Sequence, residues 1–274
     1  EDARKREHMR EHEVPNGNLA NVQALYQEIK KMGDQVPEAE AQAAYVELKQ
    51  KVFNGEMNPA QTFEQFIRQG GLKQAIPELS ELESVSYPAG HGNRSMFEHT
   101  VAVVRRLYFI HEASQLLDSN GNPGAGFDDE ISELLERYQL EIPALQAKEM
   151  TRQIFLELAR AYQNATRIRL RTPGREADGV ALIYLALLLH DIGKTVSNAQ
   201  HMTIGIPLAR RILKRLGFGI EDEQLGAFLA LSHNAFVRTH SGDESYFRLR
   251  KEILAVQGGN RLEDLLAAAA LFNL

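Results

Sequence analysis

The amino-acid sequence predicts an almost wholly α-helical protein. Apolar residues recur at helical spacing along most of the chain. Segments of alternating polar and apolar residues, which are typical of β-strands, form no series in the sequence. Glycines and turn-rich segments follow the apolar stripes, as is usual where helices end. We therefore expect helices joined by loops.

Three amphipathic segments predict helices before residue 80. "NLANVQALYQEIKKMG" and "EAEAQAAYVELKQKVFNG" each stop at a glycine, which is a common helix terminator. "NPAQTFEQFIRQGG" begins with an asparagine that suits a helix cap and a proline that suits the first turn. Together these segments predict an N-terminal helical subdomain at residues 1–80.

Residues 81–274 predict a second, larger helical domain. A long helix is expected to begin at "MFEHTVAVVRRL", directly after a loop rich in turn formers. The most apolar run, "GVALIYLALLL", leads straight into His190 and Asp191. We expect the helix to continue through both of these residues, which places them at the end of a buried segment.

The composition is that of a soluble globular protein. Apolar residues make up 43% and charged residues 25% of the 274 residues. The apolar run is about half as long as a membrane-spanning helix, so we expect a cytoplasmic protein with no membrane partner. A formal net charge of -6 disfavours nucleic acid as a binding partner. Nucleic-acid binding stays open only for a longer chain of which this sequence is a part. We expect both ends of the sequence to continue into such a chain.

Four histidines and one aspartate mark a candidate metal site. The chain has no cysteine, so a transition metal would be bound by histidine nitrogen and carboxylate oxygen. The five residues lie where an apolar helical pattern is broken or begins: His99, His190, Asp191, His201 and His233. Burial of the His-Asp pair needs either a hydrogen-bonding neighbour or a metal ion to offset its cost. This ligand type suits iron, manganese, zinc or magnesium.

The order of these five residues resembles the signature of the HD-domain metal-dependent phosphohydrolase superfamily. "HDIGK" followed by "HMTIGIPLARRILKRLGF" resembles the HDIG branch of that superfamily. "FEHTVAVVRRL" and "NRLEDLLAAAALFNL" are similar to the HD domains that remove uridylyl groups from nitrogen-regulatory PII proteins. The resemblance covers residues 86–274 and implies an all-α HD-domain helical bundle.

The resemblance also implies two divalent metal ions, drawn from Fe, Mn, Mg and Zn. The first ion would be bound by His99, His190 and Asp191. The second ion would be bound by His201 and His233, and Asp191 would bridge the two ions.

Two features depart from the pattern of the family. The last aspartate ligand of the family follows an apolar run, so we expect it beyond Leu274 and not at Asp264. The separation between His99 and His190 is longer than the compact core of the family needs. It predicts an inserted helical element at residues 112–178 that caps the site.

The implied activity is hydrolysis of a phosphate ester by metal-activated water, with a small-molecule ester, a nucleotide or a nucleotidylated target as substrate. Asp191 and Lys194 are the expected catalytic residues, because a lysine beside the metal ligands stabilises charge on phosphoryl oxygens or protonates the leaving group. A solvated surface position is the alternative for Lys194. Arg238 and His240 are expected to bind the phosphate from the rim. Two other functions stay open, a non-catalytic metal-binding signalling or interaction module and a di-iron oxygenase.

Overall fold

The computed structural model describes the backbone of residues 19–50, 65–69, 71–86, 95–138, 148–241 and 246–271. Side chains are described for the same residues except 19, 148–151, 232–241 and 246–250. Every named element within these ranges is a helix, so the predicted all-α fold is confirmed.

The helices are numbered in chain order. The first part of the chain contains α1 (Leu19–Asp34), α2 (Glu38–Leu48), α3 (Gly71–Ala75) and α4 (Glu78–Glu81), with a further helical turn at 65–69. The middle part contains α5 (Met96–Gln115), α6 (Phe127–Tyr138), α7 (Lys148–Ala165) and α8 (Gly179–Leu188). The last part contains a 3-10 helix (Ile192–Thr195), α9 (His201–Arg215), α10 (Ile220–Ser241), α11 (Tyr246–Val256) and α12 (Leu262–Ala270).

Helix α8 forms the centre of the core. Its residues are buried at every position from Ala181 to Leu188. A helix that is apolar on all sides is stable only when other helices surround it. Helices α5 and α10 pack directly against α8, and α9 packs against α10. The end of α8 is therefore enclosed on several sides, which positions the residues that follow it.

Helix α5 begins where the sequence predicts. The Ser95 hydroxyl accepts a hydrogen bond from the Glu98 backbone N–H at 3.2 Å, which caps the first turn. This cap fixes the start of the helix, and His99 lies in its first turn.

The N-terminal helices are attached to the rest of the bundle by polar contacts. Tyr45 of α2 donates a hydrogen bond of 2.7 Å to the buried carboxylate of Asp178, which directly precedes α8. Burial and this carboxylate raise the pKa of the Tyr45 hydroxyl above its usual range, so the phenol stays protonated and remains a donor. Helices α1 and α2 also contact α9. The boundary at residue 80 stays a prediction.

The segment predicted as an insertion, residues 112–178, supplies α6 and α7. Helix α7 packs along α5 on one side and along α12 on the other. Phe155 of α7 lies edge-on to Phe109 of α5, with ring centroids 5.1 Å apart. These contacts place α7 inside the bundle, while the assignment of 112–178 as an insertion stays a prediction.

Among the described residues, each helix is too short or too polar to cross a membrane.

A titratable ring on α5 gives a prediction about pH. His111 stacks on Tyr162 with ring centroids 5.0 Å apart, and burial lowers the pKa of His111 below its usual 6.5. In the unfolded chain the ring keeps its usual pKa of 6.5, so at pH values below 6.5 the unfolded chain binds the proton more readily than the folded protein does. The contribution of His111 to stability is therefore fully present above about pH 6.5 and is lost as the pH falls toward the lowered pKa. We expect His111→Phe to lose less stability than the unsubstituted protein between pH 7.5 and pH 5.5.

Urea unfolding at the two pH values measures this difference. Gln115→Ala is the matched control, since it removes the neighbour of the His111 ring at 3.1 Å and keeps the titrating group. Equal acid-induced losses in His111→Phe and the unsubstituted protein would contradict the prediction.

Candidate metal centre

The end of α8 differs from the sequence prediction. The helix was expected to continue through His190 and Asp191, but it ends at Leu188. The next residues form a tighter turn, with backbone hydrogen bonds between residues three positions apart. The Ile192 N–H donates to the Leu189 carbonyl at 3.1 Å, and the Lys194 N–H donates to the Asp191 carbonyl at 2.8 Å. The prediction was wrong because this tight turn, and not a further α-helical turn, fits between α8 and α9.

Gly193 explains how closely this turn approaches α9. A Cβ atom at position 193 would collide with the backbone carbonyl of His201 and would lie 2.8 Å from the backbone nitrogen of Gly205. Backbone atoms cannot move aside as a flexible side chain can, so only glycine permits this contact. The contact holds the turn with Asp191 and Lys194 against the first turn of α9.

Three side chains from two parts of the chain meet at this turn. His99 comes from α5, and His190 and Asp191 follow α8. Each offers a ligand atom, and these atoms all lie within 4.8 Å of one another. Asp191 Oδ2 lies 3.1 Å from His190 Nε2 and 3.7 Å from His99 Nε2. His190 and Asp191 are buried and His99 is partly exposed, so the group has one accessible side.

The chemistry of these donors fits a divalent metal ion. Two ligand atoms bound to one metal at roughly 2.1 Å are about 3.0 Å apart at a right angle and about 4.2 Å apart when they oppose each other. The distances from Asp191 Oδ2 to the two histidine nitrogens fall within this interval. Two imidazoles and one carboxylate are a ligand set for first-row transition metals.

Backbone carbonyls fix which ring nitrogen of each histidine can bind a metal. His190 Nδ1 lies 2.7 Å from the Leu187 carbonyl, and His201 Nδ1 lies 2.7 Å from the Asn198 carbonyl. A carbonyl only accepts hydrogen bonds, so Nδ1 carries the proton in each ring. The neutral ring then has its lone pair on Nε2, which is the usual arrangement for a metal-binding histidine.

The electrostatic environment keeps His99 and Asp191 in the forms that bind metal. Burial, together with the nearby His190, lowers the pKa of His99 from 6.5 to about 4, so this ring is neutral at pH 7. Burial alone would raise the pKa of Asp191, but His190 and Lys194 outweigh it and hold that pKa well below its usual range. A neutral imidazole and an ionised carboxylate are therefore present together.

Lys194 and His201 lie beside the three ligands. The Lys194 ammonium donates a hydrogen bond of 2.9 Å to Asp191 Oδ2. His201 begins α9, and burial lowers its pKa, with smaller electrostatic effects of Lys194, Asp191 and His190. His201 is thus close enough to the cluster to interact with its charges, although it is not one of the three residues whose ligand atoms meet.

The remaining candidates lie elsewhere or outside the described side chains. His233, Arg238 and His240 lie on α10, and their side chains are outside the described residues. Asp264 is buried on α12 and does not belong to the cluster of three. The sequence reasoning named every member of that cluster.

A comparison with protein families agrees with this geometry. The family model of the HD domain matches residues 144–271. The matched region, residues 144–271, is an HD domain. The superfamily predicted from the sequence motifs is therefore confirmed, while the narrower resemblance to uridylyl-removing domains stays a prediction. No curated protein and no solved structure shows significant similarity to the chain.

The HD-domain match includes most of the described site. His190, Asp191, Lys194 and His201 fall within residues 144–271, and His99 precedes them. HD domains bind divalent metals and are generally hydrolytic. The three-residue cluster is thus a candidate metal-binding group, and two of its members, His190 and Asp191, lie in the matched region.

Proposed function

We propose that this HD domain is a metal-dependent phosphohydrolase that cleaves phosphate monoesters or diesters. The observation that carries the proposal is the convergence of His99, His190 and Asp191, with Lys194 bonded to the shared carboxylate. The proposed substrates are small-molecule phosphate esters, with nucleotides or a nucleotidylated target as the first choice.

The proposed site holds two divalent ions. His99, His190 and Asp191 would bind the first ion, and His201 and His233 would bind the second, with Asp191 between them. The tautomers of His190 and His201 support this assignment, since each presents Nε2 as an acceptor. When bound, such ions supply Lewis-acid chemistry that polarises the phosphoryl group and lowers the pKa of water toward about 7.

Lys194 is proposed to act on the phosphate itself. During hydrolysis water gives up a proton to solvent as its oxygen forms a bond to phosphorus. The bond from phosphorus to the leaving oxygen breaks, and its electron pair goes to that oxygen. The Lys194 ammonium stabilises the negative charge on the phosphoryl oxygens or gives a proton to the leaving oxygen. Its hydrogen bond to Asp191 positions the ammonium beside the metal ligands. Arg238 and His240 are proposed to bind the phosphate from the rim of the site.

Turnover and metal content together test this proposal. We expect the protein to hold two ions per chain and to hydrolyse bis-p-nitrophenyl phosphate with Mn, Fe or Mg. Lys194→Met should retain the metal and lower kcat by about 100-fold, because one group that stabilises the transition state is worth about that much. Lys214→Met is the control, since Lys214 is an exposed lysine on α9.

Three results would contradict the proposal. Bound metal without turnover by Mn, Fe or Mg would support the non-catalytic metal-binding module. Oxygen uptake that requires ferrous iron would support the di-iron oxygenase. Equal kcat values for Lys194→Met and Lys214→Met would remove Lys194 from the mechanism.

A further inference from the structure

A pocket opens beside the metal centre, between the N-terminal helix and the segment that precedes α9. Its volume is about 440 Å³. One wall consists of Asn21, Val22 and Leu25 of α1, and the opposite wall includes Ser197 and Asn198. This volume lies within the range of sites that hold small organic molecules.

Lys194 joins this pocket to the metal centre. The side chain lines the pocket, and its ammonium lies 2.9 Å from Asp191 Oδ2. A phosphate held at the metal ligands would contact the same ammonium. The organic substituent of that phosphate would then extend from Lys194 into the pocket.

The walls of the pocket are suited to an uncharged substituent. Among the described residues that line it, Lys194 carries the only charge. Val22 and Leu25 offer apolar contact, and the amide of Asn21 offers hydrogen bonds. A second anionic group in this space would be removed from water with no further cation to pair with it among these residues.

The α1 wall is fixed to the catalytic part of the molecule. Asp34 at the end of α1 forms an ion pair with Arg211 of α9. Gly33 lies against the buried pair of Glu78 and Arg215, where a Cβ atom would collide with both side chains. These contacts hold the C-terminal end of α1 against α4 and α9.

We infer that α1 is the specificity wall of the site and that the pocket takes the uncharged, ring-sized organic substituent of the phosphate ester. The inference rests on the proposed function, because it assumes that the phosphate binds at the metal ligands. Asn21 and Ser197, on opposite walls, are the specificity-determining residues that it identifies.

Binding of matched phosphate esters to the manganese-loaded protein tests the inference. We expect isothermal titration to show phenyl phosphate binding about tenfold more tightly than methyl phosphate, since only the ring buries apolar surface. 4-Carboxyphenyl phosphate should lose that advantage. Asn21→Trp should fill the pocket and bring phenyl phosphate to the affinity of methyl phosphate. Gln27→Trp, at an exposed position of the same helix, should keep the tenfold preference.

A second variant protects the test against misfolding. Ser197→Trp fills the pocket from the opposite wall, and it should abolish the preference as Asn21→Trp does. No preference for phenyl phosphate in the unsubstituted protein, or equal effects of Asn21→Trp and Gln27→Trp, would overturn the inference.

Binding and turnover separate the two proposals. Selective binding of phenyl phosphate without hydrolysis of any ester would keep the pocket and overturn the phosphohydrolase function. Hydrolysis by a protein whose preference for phenyl phosphate is unchanged in Asn21→Trp and Ser197→Trp would keep the proposed function and overturn the inference about the pocket.

Discussion

Asp191→Ala is expected to remove the bound metal and to abolish phosphate-ester hydrolysis, while the helices stay in place. Asp191 Oδ2 is the atom at which His190, His99 and Lys194 converge, at 3.1, 3.7 and 2.9 Å. Loss of residues that only orient metal ligands already costs about 10–100-fold in metal affinity. Loss of the shared ligand should therefore cost more than about 100-fold.

The helices should survive because Asp191 lies outside them. It follows the end of α8, and that helix is held by apolar packing that alanine at position 191 leaves unchanged. Far-UV circular dichroism should thus be nearly the same for Asp191→Ala and the unsubstituted protein. Loss of activity with retained helices would point to the site and not to unfolding.

Metal content per chain and turnover of bis-p-nitrophenyl phosphate are the measurements. Asp191→Asn keeps the volume of the side chain and removes its charge, so it separates the effect of the ligand charge from that of packing. Asp129→Ala, at an exposed position of α6, is the control for removal of a carboxylate. An unchanged metal stoichiometry in Asp191→Ala would disprove the ligand assignment.

The helical architecture could be predicted from local sequence patterns. Helix α5 begins at Met96 behind a serine cap, and α8 coincides with the most apolar run of the chain. The end of α8 could not be predicted in the same way. It depends on the contact of Gly193 with α9: the glycine itself permits a close approach of the backbone, but no local pattern says which helix makes that approach.

The candidate site was predictable only in part. His99 and His190 are far apart in the sequence, and the motifs that resemble HD domains identified both as members of one site. The α1 wall of the pocket was not predicted, because Asn21 belongs to an ordinary amphipathic helix. Its position beside Lys194 results from the packing of α1 on α9, to which no local pattern points.

Glu78→Leu is expected to lower the free energy of unfolding by about 3–5 kcal/mol, because it leaves the Arg215 guanidinium buried without its anion. The two side chains are 3% and 8% exposed, and Arg215 contacts Glu78 Oε2 at 2.7 Å. Arg215 also donates to the Ala75 carbonyl at 3.1 Å, and this neutral acceptor does not replace the carboxylate. Urea denaturation measures the loss.

An exposed ion pair on the same part of the chain provides the control. Lys73 and Glu83 lie 2.7 Å apart, with side chains 33% and 48% exposed. Glu83→Leu should change the free energy of unfolding by no more than about 1 kcal/mol, since water already solvates both charges. A loss as large as that of Glu78→Leu would show that burial is not the cause.

The double variant Glu78→Leu with Arg215→Met separates the cost of an unpaired charge from the value of the pair itself. Well-packed apolar residues often replace a buried ion pair with no loss of stability, so the double variant should be more stable than Glu78→Leu alone. If the double variant loses as much stability as Glu78→Leu and Arg215→Met lose together, the unpaired charge of Arg215 is not what destabilises Glu78→Leu.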